Sequence, residues 1–366
     1  MTILQVCAYA APYEGNFIKS LKVLGNVYKE KGDKMVYAFP ESARNILWCK
    51  ELEKHTDVYY LPLAKARIKI KTYTMLKDIY CKYKDLKIVH SHFELYDAPV
   101  ALTVPKNVKV FWHLHDALEG YTGIKNRLEH KVQYGLCHRN AILLSVSEKH
   151  MEYVLKKGFP EKNARYVPNG LDIDRIKLVS TVVDQRKYDF LIFGWEYQRK
   201  GVDLCVEAIK KISNENFKVA IVGSENIENI IKEKYGYVPG VEVVKPVSDI
   251  NELYEKSKCF LHISRAEGLS YALLEAVYAG LPVICSDISE NRFAVQFPTV
   301  EMVESENTTD IAEKMKYIIN EKKYSNDMIE KSRKMIENEY SIACWVKNIL
   351  KPVSYTHLTL PTNREV

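Results

Sequence analysis

Two series of short apolar runs alternating with longer amphipathic stretches constrain this chain more than any other feature. In the first, residues 3–9 read as a strand, 17–31 as a helix and 34–39 as a strand. Residues 87–90, 108–113 and 141–146 read as further strands, and Ser147 caps a helix through Leu155. The segment YVPNGLDID, residues 166–174, then breaks the pattern with Pro168, Asn169 and Gly170 in a row. It restarts with strands at 190–194, 218–222, 259–263 and 282–285 and a helix at 202–212; helices follow at 310–320, 327–339 and 342–350. Strands alternating with helices predict parallel, doubly wound sheets, so the chain is α/β with two Rossmann-like domains. Ligands of such sheets bind beyond the carboxyl ends of the strands, which places the natural site in a cleft between two facing sheets. The expected domains are 1–172 and 173–352, the latter including the closing helices. Residues 353–366, VSYTHLTLPTNREV, continue no apolar period and read as a non-native tail.

The length of 366 residues suits two domains at roughly 100–200 residues each. A formal charge of +6 is mild, and most Lys and Arg residues are interleaved with acids, which argues against nucleic acid as a partner. Residues 61–87 are the exception: Lys65, Arg67, Lys69, Lys71, Lys77, Lys82, Lys84 and Lys87 face only Asp78 and Asp85. A solvated surface is the ordinary reading; a patch for anionic lipid headgroups or an anionic acceptor is the functional one. The eight cysteines form no C-x-x-C pair and read as reduced core residues, which predicts a cytosolic setting and no zinc. The first residues, MTILQVCAYA, lack a charged n-region and read as a first strand. No apolar run approaches the roughly 18 residues that span a bilayer, so any membrane contact is expected to be peripheral.

The chemistry concentrates in residues 264–287, SRAEGLSYALLEAVYAGLPVICSD. A strand ends near Ser264, Glu267 and Gly268 follow in a tight loop, a helix runs from Tyr271 to Ala279, and Gly280 ends it. Loop amides and a helix N-terminus favour an anion. Gly268 and Ser270 are small enough for close approach of a ligand to backbone. Glu267 and Glu275 flank that helix start. They would repel phosphate directly, and suit the hydroxyls of a sugar and a ribose on either side of a diphosphate.

This string resembles the donor-site signature of retaining glycosyltransferase family 4, the group 1 glycosyltransferases with the GT-B fold; Glu267 and Glu275 meet its E-x7-E pattern. The resemblance implies that Glu267, with Gly268, Leu269 and Ser270, contacts the donor sugar and that Glu275 binds the ribose. GWEYQRKGVD, residues 194–203, resembles the family's diphosphate loop. Lys200 and Gly201 match its K-G pair, but Trp195 stands where an arginine is usual, and neighbouring Arg199 is the candidate substitute. The need is physical, because a departing nucleoside diphosphate gains negative charge that fixed cations stabilise. In the first half, APYEGNF keeps only Gly15 of a usual glycine pair beside the donor phosphates. Two histidine pairs, His90/His92 and His113/His115, end strands. The resemblance places His115, in an H-D turn with Asp116, near the reacting sugar, and makes Asn169-Gly170 a structural interdomain turn. Paired histidines can also signal a metal, yet no further ligand set has suitable spacing.

The resemblance covers residues 1–350 and is sharper in the second half. It implies a transferase of the hexosyl type that needs no cofactor or metal, uses a nucleotide-diphosphate sugar (UDP-linked favoured), and acts on a glycan or lipid-linked acceptor in bacterial surface polysaccharide synthesis. The implied catalytic residues are His115, Glu267 and Lys200. The implied donor-binding residues are Gly15, Arg199, Lys200, Glu267, Gly268, Leu269, Ser270 and Glu275. The rivals are a UDP-sugar epimerase of the same fold and a nucleotide-sugar-binding protein without turnover, which Trp195 favours.

Overall fold

The structure, a computed structural model, describes every residue except 65, 116–123, 140, 180–185, 213–215, 248, 322–323 and 356–366, and omits the side chains of 124–126 and 352–355. Lys65, Asp116 and most of the expected tail therefore lie outside the described residues.

The chain divides into two compact units, one of Met1–Gly170 with the chain from Ile342 onward, the other of Leu171–Ser341. In the first unit the order is β1 (Thr2–Cys7), α1 (Gly15–Glu30), β2 (Lys34–Pro40), α2 (Leu47–Glu53), β3 (Val58–Leu61), α3 (Ile70–Lys82) and β4 (Leu86–His92). It continues with α4 (Asp97–Thr103), β5 (Lys109–Leu114), α5 (Ile124–Leu136), β6 (Ile142–Ser145), α6 (Glu148–Leu155) and β7 (Ala164–Tyr166). The second unit holds β8 (Tyr188–Phe193), α7 (Val202–Lys211), β9 (Val219–Val222), α8 (Glu225–Tyr235), β10 (Val241–Val244), α9 (Asn251–Glu255) and β11 (Ser257–His262). After these come α10 (Tyr271–Ala279), β12 (Val283–Ser286), β13 (Val300–Val303), α11 (Thr308–Asn320) and α12 (Asn326–Glu339), and the chain returns to the first unit as α13 (Ile342–Tyr355).

Both sheets are parallel. Their orders are β3-β2-β1-β4-β5-β6-β7 and β10-β9-β8-β11-β12-β13. Helices cover a parallel sheet on both faces, which is why β1 (TILQVC) is buried at every position and shows no polar alternation. Local signals place the helix starts. Ser147, Ser270 and Ser325 each accept a hydrogen bond from the backbone N–H three residues on, and Asn307 caps α11 in the same manner.

Three expectations change. The closing helices do not all belong with 173–352. The apolar face of α13 (Ile342, Trp345, Val346 and Ile349) joins Ile3, Phe17, Leu21 and Leu24 in a core of the first unit. An amphipathic helix docks where unpaired apolar surface is offered, and here that surface belongs to α1 and its sheet. The contact is close: a Cβ on Gly170 would lie 2.8 Å from Trp345 Cβ and 2.9 Å from Ile342 Cα. The helix also runs through Tyr355, past the expected start of the tail at 353. All eight cysteines are free; five are buried, but Cys81 is exposed and Cys137 and Cys344 are half-buried, so the core reading holds for five.

Candidate functional site

In each sheet the chain works outward from one central strand and then returns to that strand's other side. The reversal falls between β8 and β11 in the second unit. Loops leaving the carboxyl ends of such a pair diverge and open a crevice, the expected ligand site of a doubly wound sheet. These two loops are 194–201 and 263–270, the two motifs singled out from sequence.

The first loop is held by backbone. Gly194 N–H donates to Val222 O at 2.8 Å, and Lys200 N–H to Glu196 O at 2.8 Å. Gly201 has φ +63°, and a Cβ there would sit 1.9 Å from Ile263 O, so the loop lies directly against the end of β11. Gly201→Ala is therefore expected to cost about 3 kcal/mol or more, from left-handed strain plus overpacking. Urea unfolding measures it, and a loss below about 1 kcal/mol would contradict the close approach.

This anchoring sets the side chains. Lys200 Nζ donates to Glu267 Oε1 at 2.6 Å, and both groups are buried. Arg199 reaches the other oxygen, Nη1 to Glu267 Oε2 at 3.3 Å. Burial opposes ionisation of Glu267, yet His262, Lys200 and Ser264 together hold its carboxyl down at about 2. Burial also holds the His262 imidazole down at about 4, so His262 is neutral near pH 7 and Lys200 is the partner that counts there. Adjacent residues 199 and 200 thus converge on one carboxylate. Trp195 instead stacks on Phe193, with ring centroids 5.0 Å apart, and is half exposed.

Ser270 closes the loop as the cap of α10, and Leu269 is buried behind it. Gly268 is not among the glycines with positive φ, so its backbone imposes no need for glycine. Glu275 lies on α10, buried, with Arg175 Nη2 donating to its Oε1 and Tyr254 OH to its Oε2 at 3.2 Å. Sequence reasoning missed Arg175 and Tyr254; Arg175 is 100 residues from Glu275, and no local signal links them.

In the first unit the reversal falls between β1 and β4. Gly15 follows β1 at φ +58° and opens α1. After β4, Phe93 and Glu94 are both left-handed, with φ 63° and 47°, a costly conformation for residues with a Cβ. It turns Glu94 inward, where Arg67 Nη2 donates to Oε1 at 2.6 Å and Tyr134 OH to Oε2 at 2.9 Å. Arg67, counted with the basic stretch, therefore points into the protein. Neither Glu94 nor Tyr134 stood out in the sequence.

The four strand-end histidines meet on one face. His92 and His113 are paired across β4 and β5, and all four rings are buried. His92 Nε2 meets Gln5 Oε1 at 2.8 Å, His92 Nδ1 meets His115 Nε2 at 2.9 Å, and His115 Nδ1 meets Asn169 Oδ1 at 2.8 Å. Two neutral rings bring two N–H groups to three links, which is met when one terminal amide turns its NH2 inward. Burial lowers all four histidines; it takes His90 to about 3 with His115 adding repulsion, and His115 to about 4 against the opposing bond from Asn169. Ring nitrogens of His90, His92 and His113 lie within 4.8 Å of one another. The His90 and His113 ring planes are 3° apart, with centroids separated by 5.5 Å.

Comparison with known proteins agrees with this geometry. Residues 38–175 match the family model Glycosyltransferase Family 4, and residues 177–335 match Glycosyl transferases group 1. The capsular polysaccharide biosynthesis glycosyltransferase CapM of Staphylococcus aureus is 25% identical over 224 residues, which are 56% of this chain and 58% of CapM. The solved structure of a Rickettsia africae glycosyltransferase superposes with a TM-score of 0.77 at 18% identity, covering 99% of both chains. That of Anabaena HepE in complex with UDP gives 0.79 at 14% identity, covering 97% of this chain and all of the other. With adjoining family models spanning 38–335 and two parallel-sheet units whose motifs meet at the strand reversal, the chain belongs to the group 1, family 4 glycosyltransferases and has their GT-B fold.

Proposed function

We propose that the protein transfers a sugar, with retention, from a UDP-sugar to a glycan or lipid-linked acceptor in surface polysaccharide synthesis. The observation that carries this reading is the Lys200–Glu267 pair at the β8/β11 reversal, with Glu275 on the adjoining helix. Lys200 meets the diphosphate and stabilises the charge it gains as the glycosidic bond breaks. Glu267 orients the sugar hydroxyls, and the amides of 268–270 with the start of α10 add positive potential. Glu275 takes the ribose diol. The acceptor hydroxyl attacks the same face the nucleotide leaves, and its proton passes to the leaving phosphate, so no metal is required. His115 contributes as a neutral ring of fixed orientation near the transfer point, since both its nitrogens are engaged. The family resemblance assigns Gly15 to donor binding. Anabaena HepE has been solved with UDP and with UDP-glucose, which supports the choice of nucleotide. CapM supports the polysaccharide setting.

A thermal-shift screen with UDP-, GDP- and ADP-sugars in EDTA tests the donor. A UDP-sugar at a hundredfold excess over its dissociation constant is expected to stabilise by about 2.7 kcal/mol. No shift with any of them would remove the donor-site reading. Release of a 2-epimer from donor alone would instead make it an epimerase.

No helix among the described residues is long and apolar enough to cross a membrane. We place the protein at the cytosolic face of a membrane, in peripheral contact through residues 61–87. There Leu63, Ile68 and Ile70 are exposed beside exposed Lys69 and Lys71. Flotation with phosphatidylglycerol vesicles, reversed by salt and absent with phosphatidylcholine, is the expected result.

A further inference from the structure

We infer that Arg199 acts through Glu267, as the middle of a Glu196–Arg199–Glu267 strap between the two reversal loops, and is not itself a ligand of the diphosphate. The inference rests on the donor-site reading above and divides the labour of its two cations.

A guanidinium has five N–H groups and no acceptor. Arg199 commits Nε to Glu196 Oε2 at 2.7 Å and Nη2 to Glu196 Oε1 at 2.5 Å, a bidentate pair. Nη1 donates to Ala266 O at 3.0 Å and to Glu267 Oε2 at 3.3 Å. Its own carbonyl accepts from Arg265 N–H at 2.8 Å. One side chain of the loop after β8, its fork held by Glu196 of the same loop, therefore reaches the loop after β11 through two acceptors, Ala266 O and Glu267 Oε2. Moving it onto a phosphate would break the fork and loosen both loops.

Lys200 differs. It is a point charge with three N–H groups, and its described hydrogen bond is the one to Glu267 Oε1. Two cations thus share one buried carboxylate, each on its own oxygen. When a diphosphate arrives, Lys200 can turn to it while Arg199 keeps Glu267 ionised, oriented and paired. Without Arg199 that turn would strand a buried charge, which proteins tolerate poorly. Glu196, half exposed, is the positioning residue that holds the fork in place.

UDP and UDP-glucose separate the roles, because UDP offers the diphosphate without a sugar for Glu267. Calorimetric affinities for both probes are measured on wild type, Lys200→Ala, Arg199→Ala, Arg199→Lys, Glu196→Ala, Glu267→Ala and the Arg199→Ala/Glu267→Ala double variant. Lys200→Ala is expected to weaken UDP about tenfold or more, the size of a lost charge-assisted bond. Arg199→Ala is expected to leave UDP within about twofold and weaken UDP-glucose about tenfold, with Glu196→Ala shifting it in the same direction by less. Arg199→Lys keeps the charge but not the fork, so it should follow Arg199→Ala; it also serves if the alanine variant folds poorly. In the Glu267→Ala background, losing Arg199 should cost nothing more. The strap is overturned if Arg199→Ala weakens UDP as much as Lys200→Ala does, if Arg199→Lys restores both affinities, if neither probe responds to Arg199→Ala, or if the double variant is additive. Wild type binding neither probe would bring down the UDP-sugar reading itself, and the strap with it.

Discussion

Lys200→Ala is expected to destabilise the second unit by about 3 kcal/mol at pH 7, the usual cost of leaving one member of a buried ion pair behind. The Glu267 carboxyl agrees in direction: its ordinary value of 4.5 is lowered to about 2 by His262, Lys200 and Ser264 together. A carboxyl whose folded value lies below its unfolded one contributes stability in full above about 4.5, and loses it as pH falls through 4.5 towards 2. Wild type should therefore weaken over that window from this group, and Lys200→Ala should show less of the decline because its advantage is already lost at neutral pH. Arg199 remains 3.3 Å away, so the variant should still fold. Urea midpoints at pH 7 and pH 4, alongside UDP affinity at pH 7, report the two consequences. A variant with wild-type stability and wild-type affinity would show that the pair is neither structural nor part of a donor site.

Acid is expected to unfold the first unit well above the range where surface carboxylates titrate. His90, His92, His113 and His115 are buried, and burial holds each below the ordinary 6.5, with repulsion among the rings adding to it for the first three. The folded unit therefore binds fewer protons than the unfolded chain below pH 6.5. Stability is full above that value and falls as pH drops, until the folded values near 4 and 3 are reached for His115 and His90. At pH 5 one such ring costs about 2 kcal/mol, already a large share of a typical 5–15 kcal/mol. The rings are coupled, so four do not simply add. His90→Phe isolates one member: its Nε2 has no hydrogen-bond partner, and its ring packs on His92 and Phe111. That variant should flatten the dependence of unfolding free energy on pH between 6 and 5 by up to about 1.4 kcal/mol per pH unit. His262 of the second unit titrates in the same range, and comparison with wild type cancels it. Superimposable pH profiles for the two proteins would refute the account.

Some of the site was legible because its signals are local. The end of α10 followed from Gly280, which is left-handed in the structure, and the Lys200-Gly201 pair from the loop that ends β8; the Ser270 cap was not read. Strand bounds shifted by at most two residues; β3, β7, β10 and β13, of three or four residues each, went unread. Trp195 left open whether Arg199 shares a target with Lys200, since neighbours on a loop need not point alike. The answer came from Gly201 lying against β11, which aims both side chains at Glu267. The basic stretch showed the converse, because charge counting cannot distinguish Arg67, bonded inward to Glu94, from the exposed Lys69 and Lys71.

By itself the sequence determined two parallel doubly wound sheets, the loops that carry a nucleotide-sugar signature, and the Gly280 stop of the helix after the second loop. Each is written within about four residues, the reach of a helical turn or a strand's apolar run. Only the tertiary structure decided which distant groups pair: Arg175 with Glu275, Arg67 with Glu94, Gln5 with His92, and α13 with α1. Those pairings depend on the order of strands in the sheet and on where apolar surface is left uncovered, quantities that exist only once the elements have packed.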